Sequence, residues 1–454
     1  MKKFNFPFLI LIILAFLTRF LFLSYPAEVV FDEVHFGKFV SAYFTHQYYF
    51  DIHPPLGKLM IAGFAKLFNF QPNFDFKQIG ETLDPYNFFI LRFLPALFGA
   101  LFVILIYKFI LVLGLSQKAA FLGGFLILFD NAFLVQSKFI LVDIFLIFFG
   151  FTSLYFFILT KKSGGFSKKQ ILFYILSAIF AGLSFSVKWT GLSFLGIILF
   201  FIFLDFLKNL RVKDFLQKIV IFTIFPFLIY LSIFTVHFNF LKISGPGDPF
   251  MSPQFQKTLL ENKVTEDAQP LSFWGKFSEL NVAMYKYNAG IKTSHPNSSK
   301  WYEWPLTKRP IWYWAKNLDN KSANIYFLGN PLIWWVVLSS VFFSLFLLFS
   351  YRFREKLSPL IYFLIFGYFI NLLPFIFVSR VSFLYHYLPA LIFGILILIF
   401  LYDKILKENF KTIFYFSFLT LALLIFLVIL PLTYGFPVSL KMNQFYNLFV
   451  KFLS

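Results

Sequence analysis

Residues 7–25 read PFLILIILAFLTRFLFLSY, a run with one charged side chain, Arg19, and they lead directly into PAEVVFDEVHFGKF at 26–39. A helix needs roughly 20 apolar residues to cross the ~30 Å hydrocarbon core of a bilayer. The run is therefore expected to span a membrane. Lys2 and Lys3 precede it, as in a signal peptide, but it lacks a small-residue cleavage site and is too long, so an uncleaved anchor is expected. The whole chain has the same character: of 454 residues, 59% are hydrophobic and 13% charged, with a mean hydropathy of +0.77. A soluble domain carries about 25% charged residues. Folding in water could not cover this much apolar surface, and the class is a polytopic membrane protein.

Extending that criterion along the chain places eleven spans, at 7–25, 88–113, 117–131, 138–160, 171–187, 189–206, 218–239, 331–350, 357–377, 382–402 and 412–434. With the N-terminus in the cytoplasm, every second gap should be cytoplasmic and basic. The gap after span four reads KKSGGFSKKQ. Later gaps of that set hold Lys208, Arg211, Lys213 and Lys218, then Arg352, Arg354 and Lys356, then Lys404, Lys407 and Lys411. Only the gap after span two is poor, with Lys118 alone. The net charge of +19 is thus largely a positive-inside signature, and nucleic acid is not an expected partner. The same alternation puts two long polar stretches, 26–87 and 240–330, on the extracytoplasmic side, in a single membrane domain covering 1–454.

Ionisable residues collect on that outer side from separate gaps. Asp32 and Glu33 leave span one, and YYFDIHPPLGKLM follows, with His53 before two prolines and an apolar helix from Leu56 expected to lie in the interface. Arg92 sits at the outer end of span two. The turn FDNAFLVQSKFILVD carries Asp130, Gln136 and Lys138, with Asp143 deeper in span four, and SVKWTG carries Lys188. VSRVSFLYHYLP adds Arg380, Tyr385, His386 and Tyr387. Taken singly, such cations snorkel to headgroups, such tyrosines form an interfacial belt, and a His before prolines serves a turn. Together they suit a transferase that uses a lipid-phosphate sugar. Cations steady the departing phosphate, an apolar groove holds the lipid tail, and a carboxylate takes the acceptor proton. Cysteine is absent, there is no H-E-x-x-H zinc pattern, and no Gly-rich strand–helix unit for a nucleotide sugar occurs.

The stretch TRFLFLSYPAEVVFDEVHFGKFVSAYFTHQYYFDIHPPLGK closely resembles the first outer loop of protein O-mannosyltransferases. The likeness continues in order through RFLPALFGA, FDNAFLVQSKFILVD, GLSFSVKWTGL, TSHPNSSKWYEWPLTKRPIWYW and NLLPFIFVSRVSFLYHYLPAL. The resemblance implies an all-α polytopic protein of the GT-C glycosyltransferase fold with about eleven transmembrane helices. It also implies inverting transfer of mannose from a polyprenyl-phosphate mannose to Ser or Thr hydroxyls of proteins crossing or leaving the cell membrane. On that likeness Asp32 is the general base, and Glu33 positions the acceptor or a neighbouring cation. Arg92, Lys138, Lys188 and Arg380 are the donor-phosphate residues, and His386 and Tyr387 complete the donor site. No cofactor or metal is implied beyond the lipid-linked donor. The expected partners are membrane lipid, that donor, and a Ser/Thr-containing polypeptide, with the secretion machinery as the source of acceptors.

Eukaryotic members insert a β-rich MIR module in the long loop, and 240–330 is too short to hold one. The likeness is to the shorter bacterial form, whose donor lipid would be of undecaprenyl or decaprenyl type. SHPNSSKWYEWP (294–305), with His295 and Trp301, is then a candidate for acceptor support alongside His53, or else an aromatic plug at the interface. Two other readings stay open on the sequence. One is a transferase of the same fold that glycosylates a lipid or wall glycan. The other is a secondary transporter, which would show internal repeats and midplane charges; no repeat stands out.

Overall fold

The first apolar run folds as helix α1 (Phe6–Phe20), after which the chain makes a long excursion carrying α2 (Glu33–Thr45) and α3 (Leu56–Leu67). The computed structural model describes residues 6–162, 167–264, 267–290, 295–350, 358–378 and 380–454. Lys2, Lys3, the Ser163–Phe166 part of KKSGGFSKKQ, Ser294, and the Arg352–Lys356 gap lie outside them. After the excursion comes α4 (Pro85–Val112), started by Pro85 in the first turn and by the Asp84 carboxylate, which accepts from Tyr86 N at 3.2 Å. Then follow α5 (Gln117–Leu128), α6 (Asn131–Lys138), α7 (Asp143–Lys162), α8 (Lys168–Phe185), α9 (Leu192–Asn209) and α10 (Val212–Phe240). A second excursion holds the short turn α11 (Pro253–Gln256), α12 (Phe273–Gly290) and a hairpin of β1 (Ile311–Leu318) and β2 (Lys321–Phe327). The chain ends with α13 (Pro331–Phe349), α14 (Pro359–Leu372), α15 (Leu388–Phe400), α16 (Glu408–Tyr434), β3 (Val438–Ser439) and α17 (Leu440–Leu453).

Nine helices among the described residues are long and apolar enough to cross a membrane, and ten if α5 and α6, bent by 58°, count as one broken span. Among the described residues helix α1 has 15 residues, fewer than the ~20 required. Nine or ten spans thus stand among the described residues against the eleven expected, the third segment being broken and the first represented by a shorter apolar helix. The break corrects one expectation. FDNAFLVQSKFILVD is not a short surface turn: it holds α6, in which every residue is buried. Asp130 makes this possible by accepting from Ala132 N (3.0 Å), Asn330 N (3.0 Å) and Trp334 Nε1 (2.7 Å), which caps the helix and ties it to the start of α13. Arg19 explains the cost of a charge in α1. Its guanidinium donates to the carbonyls of Ile127 (3.3 Å) and Leu128 (3.1 Å), the orphan acceptors at the end of α5.

The two excursions interlock at one end of the bundle. Tyr48 N donates to Ile243 O at 2.8 Å, and Phe31 N to Tyr313 O at 3.0 Å. Gly245 and Gly247 permit the first of these crossings, because a Cβ on them would lie 2.4 Å from Tyr48 O and 2.5 Å from Phe50 N. The antiparallel sheet, ordered β1-β2-β3, is an addition that hydropathy reading does not resolve. At the opposite end the basic gaps are partly neutralised: Lys218 pairs with Asp205 (3.0 Å) and Asp214 (3.7 Å).

Candidate active site

Adjacent in sequence, Asp32 and Glu33 part company in space. Glu33 opens α2 and is wholly buried. Its carboxylate accepts from Arg92 Nε and Nη2, both at 2.7 Å, and from the amides of Val30 and Ile140, both at 2.9 Å. Arg92, equally buried, donates its remaining N–H groups to the carbonyls of Leu23 (3.3 Å), Pro26 (2.8 Å) and Glu28 (3.0 Å). All five guanidinium donors are thereby committed. This pair clamps the first excursion to α4 and to the segment before α7.

Asp32 instead faces a cavity of about 450 Å³ shared with His35, Asp51, His53, His295, Arg380 and Tyr385. Its carboxylate has no hydrogen-bond partner among the described residues, and it does not cap the helix it precedes. Burial, and then the nearby carboxylates of Asp143 and Asp51, push its pKa up to about 7, although Lys188 opposes the rise. It can therefore accept and release a proton near neutrality. The floor beneath it is rigid. Lys58 is buried, ion-paired with Asp51, and donates to His53 O at 2.9 Å, which fixes the turn before the two prolines. Burial and the surrounding cations hold the His53 imidazole well below its usual range, so it is neutral.

A second cavity of about 440 Å³ meets the first at His53, Arg380 and Tyr385. Its walls are mainly apolar, from Leu146, Ile147, Ile370, Phe375 and Leu388, and Lys188 and Asp143 stand at its head. Lys188 Nζ donates to both Asp143 oxygens, at 2.8 and 2.9 Å, and lies 5.2 Å from the Tyr385 ring centre. Asp143 thus holds the ammonium in one place. The Arg380 guanidinium has no ion-pair partner among the described residues; burial lowers its pKa from the usual 12.5, and it borders both cavities.

Of the sequence-derived candidates, the structure brings together Asp32, His53, Lys188, His295, Arg380 and His386. It sets the others apart. Arg92 lies behind Glu33. Lys138, wholly buried, donates to Leu21 O (2.8 Å) and Phe22 O (3.2 Å), beyond the end of α1. Tyr387 pairs with the Tyr368 hydroxyl at 3.0 Å and packs on Trp334, whereas Tyr385, two residues earlier, reaches both cavities. Trp301 lines a third cavity beyond Arg380. Among the described residues no group of three or more His, Cys, Asp or Glu is placed to hold a metal ion.

One residue at the site escaped sequence reasoning. The β1–β2 register slips between Trp312 and Trp314, and this bulge turns Tyr313 and Trp314 inward together. Tyr313 stacks on Phe31 at 4.1 Å, next to Asp32, and its hydroxyl is buried without a hydrogen-bond partner among the described residues. An unpaired buried hydroxyl carries a desolvation penalty of about 1–3 kcal/mol. Tyr313→Phe is therefore expected to melt at or above the parent temperature in detergent. A fall of several degrees would show that the hydroxyl has a partner.

A family profile described as dolichyl-phosphate-mannose-protein mannosyltransferase matches residues 9–242, and one described as the C-terminal four TMM region of protein-O-mannosyltransferase matches 273–451. Dolichyl-phosphate-mannose–protein mannosyltransferase 4 of Candida albicans is 33% identical over 308 residues, 65% of this chain and 40% of that protein. Mannosyltransferase 1 of the same description in Saccharomyces cerevisiae is 35% identical over 258 residues, 54% of this chain and 31% of that protein. The chain thus spans two fifths or less of the length of these relatives. Among solved structures, the S. cerevisiae protein O-mannosyltransferase Pmt1-Pmt2 complex bound to the sugar donor aligns with a TM-score of 0.88 at 21% identity, over 100% of this chain and 93% of that one. ArnT from Cupriavidus metallidurans bound to undecaprenyl phosphate aligns at 0.54 and 13% identity, over 93% of this chain and 70% of that one. At these identities the likeness establishes the fold, which is GT-C.

Proposed function

The chain belongs to the dolichyl-phosphate-mannose–protein mannosyltransferase family, and from that premise we propose that it transfers mannose from a polyprenyl-phosphate mannose to Ser or Thr hydroxyls of proteins. The observation that carries this reading is the meeting of two cavities at Arg380. One is mainly apolar, with the Lys188–Asp143 pair at its head and the Arg380 guanidinium at its border; the other holds an unpaired carboxylate. The lipid phosphate suits the first, with Lys188 and Arg380 neutralising it, and the acceptor hydroxyl suits the second.

In the proposed reaction Asp32 takes the proton as the acceptor oxygen bonds to the anomeric carbon. The bond from that carbon to the phosphate oxygen breaks on the opposite face, and its electron pair leaves with the phosphate, inverting the centre. Lys188 and Arg380 stabilise the charge that develops there. Asp143 positions Lys188, His53 and Tyr385 line the junction, and His295 borders the acceptor side. Glu33 and Arg92 act at one remove, holding the loop that carries Asp32, and Lys138 likewise supports the end of α1. The reading calls for no metal, since the two cations supply the neutralisation, and turnover should persist with chelator present.

The basic gaps at the opposite end from the site support a cytoplasmic N-terminus and an active site on the extracytoplasmic face of the cell membrane. Acceptors would then arrive through the secretion machinery, and the donor lipid would be of undecaprenyl or decaprenyl type. The direct test is transfer from a defined polyprenyl-phosphate mannose to a Ser/Thr peptide in liposomes. Mannosylated peptide supports the reading; label found only in lipid or glycan overturns it.

A pH dependence follows from Asp32. Only the carboxylate form accepts a proton, so kcat/KM is expected to rise about tenfold per pH unit on the acid side and to level off above roughly pH 7. Lys188→Met removes the cation that favours the carboxylate, and the limb should move to higher pH. A profile flat from pH 5 to 8 would remove Asp32 from the base role.

A further inference from the structure

A third cavity opens on the far side of Arg380. At about 550 Å³ it shares Arg380 and Val381 with the Asp32 cavity, and its wall is the segment from Ser298 to Trp304. That wall is firmly set: Ser299 N donates to Ser382 O at 2.9 Å, and the buried Trp304 donates its indole N–H to Ser299 Oγ at 3.0 Å. Its charge is lopsided. Among the described residues Glu303 is the only carboxylate lining it, and its oxygens are already engaged by Arg309 at 3.4 Å and by the Lys300 amide at 2.7 Å. Lys300 has no carboxylate partner among the described residues; its ammonium lies 5.9 Å from the Tyr302 ring centre. Lys300, Arg309 and Arg380 thus face one occupied acid, over the half-exposed ring of Trp301.

We propose that this cavity is a subsite for the acceptor chain flanking the reacting hydroxyl, and that it selects acidic residues there. The inference rests on the transfer reading above and adds a substrate preference to it. The cavity also borders the apolar groove, at Phe375, Val378 and Arg380, but its lining of Ser298, Ser299, Lys300, Glu303, Arg309 and Ser382 suits a peptide better than a lipid tail. An extended peptide advances about 3.3–3.6 Å per residue. A chain whose hydroxyl sits at Asp32 therefore passes Val381 within a few residues and enters the cavity, where an Asp or Glu would meet Lys300, with Arg309 and Arg380 adding to the positive field.

Three peptides with one central Ser test this, bearing neutral, glutamate or lysine flanks on both sides, each with polyprenyl-phosphate mannose in liposomes at low salt. The expected kcat/KM for the acidic peptide exceeds that for the basic one by about threefold to tenfold, the scale of two exposed ion pairs. The ratio should shrink at high ionic strength and invert in Lys300→Glu, a comparison that cancels any general loss of activity in the variant. Equal rates for all three peptides, or a ratio that Lys300→Glu leaves unchanged, would overturn the subsite while leaving the transferase reading intact. If no peptide is labelled, the transferase reading fails and this inference falls with it.

Discussion

Asp32→Asn is expected to lower kcat/KM by about 10²–10⁴-fold, the range supplied by a positioned general base, while donor binding and the fold persist. The carboxamide keeps the shape of the side chain and cannot take the proton. Nothing in the fold depends on the charge, because the carboxylate caps no helix and accepts no hydrogen bond among the described residues. The effect on stability should even be favourable. A carboxyl whose pKa is raised from 3.8 to about 7 in the folded state binds its proton more tightly there than in the unfolded chain. Its contribution is full below about pH 4 and is lost as pH rises through about 7. At pH 8 the Asn variant should therefore melt no lower than the parent, and labelled lipid donor should bind it undiminished. Turnover near the parent rate would end the assignment of Asp32 as base.

The second large effect concerns stability. Arg92→Met is expected to cost about 3–5 kcal/mol, because it leaves the Glu33 carboxylate buried at 0% exposure without its cation. The guanidinium also satisfies the carbonyls of Leu23, Pro26 and Glu28, so one substitution releases the loop at several points. Glu33→Gln should be milder, since Arg92 retains those carbonyls and the amide oxygen still accepts. Combining Arg92→Met with Glu33→Leu should recover much of the loss, with a coupling of about 0.5–3 kcal/mol in a double-mutant cycle. Melting in detergent measures all three. If Arg92→Met melts with the parent but binds donor poorly, Arg92 belongs to the phosphate site rather than to the clamp.

The acid pair shows how far the candidate site was legible. FDEV stood out because two carboxylates followed an apolar run, a cost that usually marks a site. Sequence could not separate their duties. Glu33 is turned inward as the first residue of α2, while Asp32 lies just before the helix and turns toward the cavity. The cations divide in the same way. Arg92, Lys138, Lys188 and Arg380 look alike on the chain, each near the end of an apolar segment. Only Lys188 and Arg380 line the cavities, Lys188 paired with Asp143 and Arg380 without an ion-pair partner among the described residues; the other two have their donors taken up by Glu33 and by main-chain carbonyls. Tyr313 left no signal, because its inward turn depends on a one-residue slip in a hairpin that hydropathy does not detect.

The sequence by itself determined the membrane class, the order of the apolar segments, the alternation of basic gaps and the stretches from which the candidate site is built. Those properties follow from the free energy of placing each side chain in hydrocarbon or water, which is local and additive along the chain. Which cations are free to meet a phosphate, which acid is free to accept a proton, and that three cavities converge on Arg380 were decided only by tertiary structure. Each depends on partners distant along the chain, such as Arg92 and Ile140, 59 and 107 residues from Glu33, and on whether a buried donor is already spent. Pairing of that kind is a property of the packed bundle, and no window of sequence contains it.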